Sequence, residues 1–162
     1  MIKLIILCGS LHCSQLIRES RIVPTLRHVL ARDAGLDVRL VVRRDRSLNR
    51  ISLSPTPSDT YRVIASKLGA TNGKTIAVIA PRKNRISMGM APICSDLGFA
   101  ALVDRSPIAD RLNSRVIAHE FGHLLGAEHT NNTGSVMDGV VSNLEPLWFG
   151  GESVEQMGKC DE

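Results

Sequence analysis

The stretch His119-Glu120-Phe121-Gly122-His123-Leu124-Leu125-Gly126-Ala127-Glu128-His129 decides how this chain is read. Residues four apart share one face of a helix, so His119 and His123 aim two imidazoles at one point. A straight helix would turn His129 away from them. The helix therefore has to end before it, and Gly126 supplies the end, because glycine adopts the left-handed conformation that turns the chain back. Three neutral histidines on one ion leave a fourth coordination position for water, the arrangement of catalytic rather than structural zinc. Glu120, beside the first histidine, is then placed as general base and acid. It takes a proton from water acidified by the zinc and hands it to the leaving amine of a peptide bond. Chance produces three His, one Glu and one Gly at these spacings on the order of 10⁻⁵ times in a chain of this size. The remaining histidines, His12 and His28, have no ligand spacing and read as surface or helix-face residues.

Upstream, Ser106-Pro107 is a helix-start signal, and the active helix is under way by Arg115 and ends near Gly126. Earlier still, strand and helix signals alternate. Ile2 to Leu7 is an apolar, β-branched run, and Ser14 to Ala34 has mostly helical spacing, with Pro24 able to kink or split it and Gly35 suited to its C-terminal cap. Leu36 to Val42 alternates like a strand. A loop with Pro55 and Pro57 precedes a second helix, Thr60 to Leu68, capped by Ser58 or Asp59. Thr75 to Ala80 reads as a buried strand. This succession predicts crossover units in a largely parallel sheet. Ile86 to Ile93 and Gly98 to Val103 read as two more short strands. Downstream, His129 to Gly151 is irregular, and Ser153 to Gly158 is a short closing helix.

The chain has 162 residues, 43% of them apolar, which fits one globular domain able to build its own core. No apolar run is long enough to span a bilayer. A formal charge of +4 comes with only three Phe, one Tyr and one Trp, too few aromatic rings for a base-stacking surface, so nucleic acid is a poor partner. The basic clusters at Arg39 to Arg50 and Arg82 to Arg85 read as solvated faces. Cys8, Cys13, Cys94 and Cys160 fit no Cys-x-x-Cys zinc or redox spacing but allow two disulfides, which would imply an oxidising compartment. Met1 to Cys8 has one positive charge and no clear cleavage site, and a first strand is the better reading of it than an export signal.

With these motifs the sequence resembles the metzincin zinc endopeptidases, whose extended histidine motif is followed by a methionine-containing turn. Ser135-Val136-Met137-Asp138 stands at that place, eight residues past His129, a spacing similar to that of the matrixins. Gly89-Met90-Ala91-Pro92-Ile93-Cys94, Gly98 to Asp104 and Ser106 are similar to the adamalysin (reprolysin) pattern, as are Ser142-Asn143 through Phe149 and Ser153 to Met157. The resemblance implies an α/β (α+β) zincin fold, with a mixed five-stranded twisted sheet over two helices. It also implies a single catalytic domain whose cleft separates an upper part, about 1–129, from a lower part, 130–162.

By the same resemblance Met137 floors the site. Ile86 to Ala91 is the edge strand that holds extended substrate through Ser87, Met88, Gly89 and Met90. Val116, Val140 and Val141 wall the specificity pocket, with apolar surface suited to an apolar side chain. A disulfide joins Cys94 to Cys160, whereas Cys8 and Cys13 could pair locally or stay free. Two departures stand out. Thr130 replaces an Asp after the third histidine, which puts the support of that turn in doubt, and Lys3 and Lys74 replace calcium-binding carboxylates, so no calcium is expected there. The expected protein is a monomeric, secreted or otherwise extracytoplasmic zinc endopeptidase. It acts on protein or peptide substrates and reads as a bare catalytic domain. The rivals are a catalytically silent zinc-containing binding module on the same scaffold and a matrixin-like protease.

Overall fold

Ile2–Cys8 forms strand β1, and its side chains from Leu4 to Cys8 are buried whichever face they point to. A continuous apolar run demands such a central position, with neighbours on both edges and cover on both faces. The computed structural model describes residues 1–19, 21–51, 56–69, 71–79, 89–102, 107–139 and 147–161.

The expected helix over 14–34 is two helices, α1 at Leu11–Glu19 and α2 at Ile22–Ala34. Pro24 accounts for the split. It is the third residue of α2, in the first turn, where a missing N–H breaks no intrahelical bond. Gly35 ends α2 at φ 63°, and the Gly35 and Leu36 N–H groups donate back to Ala31 and Leu30, a left-handed cap as expected. Strand β2, Val38–Arg44, begins two residues later than its alternation suggests, because pairing with β1 sets its limits from Ile2↔Val38 to Cys8↔Arg44. A 3-10 turn at Arg46–Arg50 follows, capped by the Asp45 side chain.

Helix α3 is Pro57–Lys67, and its cap is Thr56, not Ser58 or Asp59. A residue before proline is held extended while the proline itself suits the first helical position, so the start moves upstream. The loop expected before it lies largely outside the described residues. Strands β3 (Lys74–Ile79), β4 (Gly89–Met90) and β5 (Leu97–Ala101) complete a sheet of order β2-β1-β3-β5-β4. Strands β1, β2, β3 and β5 run parallel, and β4 pairs antiparallel on the edge. The mixed five-stranded sheet is as expected; the part of the expected edge strand before Gly89 lies outside the described residues.

Strand alternation divides the core. Leu4, Ile6, Ile76, Val78 and Ala100 face α2 and α4 (Pro107–Leu124), where Leu26, Leu30, Ile117 and Phe121 meet them. Ile5, Leu7, Ala77, Ile79 and Phe99 face the other way, onto Leu48, Ile51 and the α3 residue Ile64. Helices α2 and α4 are the pair that the resemblance implies, and α3 covers the opposite face. Each of the larger fully buried side chains contributes roughly 1.5–3 kcal/mol. Helix α5, Gly151–Gln156, closes the chain. Disulfides join Cys8 to Cys13 and Cys94 to Cys160. No described helix is long and apolar enough to cross a membrane.

Candidate active site

Helix α4 carries His119, Glu120 and His123 against the sheet and ends as the sequence predicts. Gly126 has φ +114°, its N–H donates to the His123 carbonyl (3.0 Å), and the Ala127 N–H donates to Gly122 (2.9 Å). Carbonyls of this helix end also accept from distant segments. The Cys94 N–H reaches the His123 oxygen (3.0 Å) and the Gly158 N–H reaches Leu125 (3.0 Å), so the stretches joined by the Cys94–Cys160 disulfide both cap the helix. A Cβ on Gly126 would stand 2.6 Å from the Gln156 oxygen. Position 126 thus requires glycine for its turn and for its packing.

The turn brings His129 back. The three Nε2 atoms lie 3.0 Å (His119 to His129), 3.1 Å (His119 to His123) and 3.2 Å (His123 to His129) apart. His119 Nδ1 lies 2.6 Å from the Val136 carbonyl and His123 Nδ1 lies 2.7 Å from the Ala127 carbonyl. A carbonyl accepts only, so both Nδ1 atoms carry the proton and both Nε2 lone pairs point inward. The His119 and His123 lone pairs, 3.1 Å apart with no hydrogen between them, call for a cation. Three nitrogens about 2.0–2.1 Å from a tetrahedral centre stand roughly 3.3–3.4 Å apart, so the cluster fits one zinc ion with little adjustment, and the carbonyl partners orient the rings for it.

Burial shifts His119, His123 and Glu120 toward their uncharged forms. Burial lowers the His119 pKa to about 4, against the opposing Val136 hydrogen bond and with help from its histidine neighbours. It lowers that of His123 as well, again against its own carbonyl partner. Glu120 is 5% exposed, and burial pushes its carboxyl up to about 8. Its Oε2 has no hydrogen-bond partner. The carboxylate packs against the backbone of edge strand β4, since a Cβ on Gly89 would stand 2.7 Å from the Glu120 Cδ.

Met137 is fully buried and lies under α4 against Gly122, with Phe149 beside it. Its turn is held by Arg115, which donates through Nη2 to the Gly134 and Ser135 carbonyls (2.6 and 2.7 Å). A bond from the Val136 N–H to the Trp148 carbonyl (2.8 Å) adds to this. Thr130 supports the turn without the missing Asp. Its N–H donates to the Met137 carbonyl (3.0 Å), while its hydroxyl accepts from the Asn132 N–H (3.2 Å) and reaches Glu152 (3.3 Å).

A cleft of about 610 Å³ opens over the histidines, and Gly89, Met90, Val116, Glu120, Val136 and Asp138 are among its lining residues. The expected substrate-binding residues Val116, Gly89 and Met90 are therefore in the cleft. Ser87, Met88, Val140 and Val141 lie outside the described residues. Sequence reasoning missed Arg115, which also lines the cleft. Its position one turn before His119 was the available signal.

The sequence model of the Matrixin family matches residues 102–149. No curated protein matches the chain. Among solved structures the chain is similar to archaemetzincin from Methanopyrus kandleri, with 18% identity over 95% of this chain and 92% of that one, and a TM-score of 0.63. The chain shares the fold of that structure, and its three clustered histidines could together hold a metal ion.

Proposed function

We propose that this chain is a zinc-dependent endopeptidase whose metal ligands are His119, His123 and His129 and whose general base and acid is Glu120. The observation that carries the reading is the convergence of three Nε2 atoms within 3.2 Å of one another, two with tautomers fixed by carbonyls, beside a buried carboxylate in an open cleft. A zinc ion held there supplies an acidified water and polarises the substrate carbonyl. Glu120, whose carboxyl is made easier to protonate by burial, would serve as base toward that water and as acid toward the departing amine. Gly89 and Met90 lie on the antiparallel edge strand, where an extended peptide adds by main-chain hydrogen bonds. On this reading the cleft divides an upper part, 1–129, from a lower part, 130–162, and the protein acts as a monomer.

Within the metzincins we read the chain as adamalysin-like, supported by the Cys94–Cys160 disulfide and the Gly89-Met90-Ala91 segment. The Matrixin match supports a matrixin-like placement instead. Two disulfides fit an oxidising, extracytoplasmic location. Lys74 Nζ donates to Asp96 (3.0 Å) and to the Ser95 carbonyl (3.1 Å), which fits the expectation that no calcium sits there, because the ammonium already occupies those oxygens. Glu120→Ala tests the central reading: cleavage of a diverse peptide library falls by orders of magnitude while zinc stays near one per chain. A wild-type protein that carries zinc and cleaves nothing is the silent binding module.

A further inference from the structure

One buried cation in the cleft takes no part in hydrolysis. Arg115 is 2% exposed and precedes His119 by one helical turn, on the same face of α4. One edge of its guanidinium is committed, since Nη2 holds the Gly134 and Ser135 carbonyls. The other edge is not: Nη1 is buried and has no hydrogen-bond partner. No carboxylate among the described residues stands within ion-pair distance of Arg115, and Asp138, another lining residue, acts on it only at longer range. A clip between helix and loop needs the first edge alone. The Nη1 nitrogen is a buried, charged donor in want of an acceptor, and a carboxylate oxygen is the acceptor that suits a guanidinium N–H best.

We propose that Arg115 determines specificity in this cleft and that its unpaired Nη1 receives an oxygen of a substrate carboxylate. The source is either the side chain of an acidic residue next to the scissile bond or the free C-terminus of a short peptide. The proposal rests on the peptidase reading above. Val116, Val136 and Met90 line the same cleft, and their apolar surface suits the methylene shaft of a glutamate. A purely apolar side chain would leave the guanidinium unpaired.

Blocked hexapeptides that differ only in Glu, Gln or Leu after the cleaved bond, and short peptides with a free or amidated C-terminus, test this. They are given to zinc-loaded wild type, Arg115→Met and Arg115→Lys, and titrated calorimetrically into Glu120→Gln. Wild type should prefer Glu over Gln, or free acid over amide, by about 10- to 100-fold in kcat/KM, and the pair that shows the preference names the source. Arg115→Met should bring that ratio close to one whatever its absolute rate, and Arg115→Lys should keep part of it. Each ratio is taken within one protein, so a general loosening of the fold cancels; if Arg115→Met does not fold, the wild-type and Arg115→Lys ratios carry the test. Equal treatment of acid and amide by wild type, or a preference that survives Arg115→Met, overturns the assignment. Acid-selective binding by a protein that cleaves none of the peptides leaves Arg115 its role and overturns the peptidase reading instead.

Discussion

A methyl group at position 89 would meet the Glu120 carboxylate, standing 2.7 Å from its Cδ. Gly89→Ala must therefore displace the proposed general base, and a shift of about 1 Å costs on the order of 100-fold in rate. We expect kcat to fall about 10- to 100-fold with zinc content and melting temperature near wild type; wild-type kinetics in this variant would show that Glu120 need not sit against β4. The histidines and Glu120 were legible in sequence because helical spacing is a local rule. The contact between Gly89 and Glu120 was not, since it joins residues 31 positions apart across strand and helix. Read alone, Gly89 is simply part of an edge strand. Arg115 was hidden for the same reason, because its carbonyl partners lie 19 and 20 residues downstream.

At the level of elements, the end of α4 decides whether the third ligand returns. Gly126→Ala places a side chain at φ +114° and against the Gln156 oxygen, at a cost of about 1–3 kcal/mol. The expected outcome is a lower melting temperature and faster loss of zinc to a chelator; unchanged zinc retention would mean that His129 does not depend on this turn. The end of α2 is coupled to the site through acid-sensitive contacts. Asp33 accepts from the Phe149 N–H (2.8 Å) and from Arg32 (2.8 Å), and Arg32 also donates to the Leu147 carbonyl (3.1 Å). Burial raises the Asp33 pKa, but these hydrogen bonds, with Arg32 and His28 nearby, outweigh it and leave it below the ordinary value. A depressed folded-state pKa stabilises above the unfolded value and loses that contribution as pH falls through the folded one. Exchange of the Phe149 amide, relative to amides of β1, should therefore accelerate below about pH 4, and Asp33→Asn should remove that acid response. An Asp33→Asn protein with the same acid response would place its origin elsewhere. Periodicity revealed most strands and helices, whereas element ends depended on pairing and caps: β2 took its limits from β1, and α3 took its start from the Thr56-Pro57 pair.

Over the whole molecule, the Cys94–Cys160 disulfide spans 66 residues and ties the stretch after β4 to the chain end beneath α4. Chain-entropy arguments give a loop of that length about 4 kcal/mol. Replacing both cysteines by serine should lower stability by about 2–4 kcal/mol in denaturant unfolding, with the zinc ligands intact; a loss below about 0.5 kcal/mol would deny the bridge a stabilising role. The largely parallel succession of strands and the active helix were legible in strand runs and helix spacing, whereas the mixed five-stranded sheet followed only from the family resemblance. The cover supplied by α3 on the second face was not legible, because nothing local says which face of a sheet a helix crosses. The most direct test of the account is X-ray absorption at the zinc edge of purified protein, with metal analysis alongside. One zinc per chain with a shell of three imidazole nitrogens and one water oxygen is the predicted result; a zinc-free protein, or a shell closed by a fourth protein ligand, would contradict it.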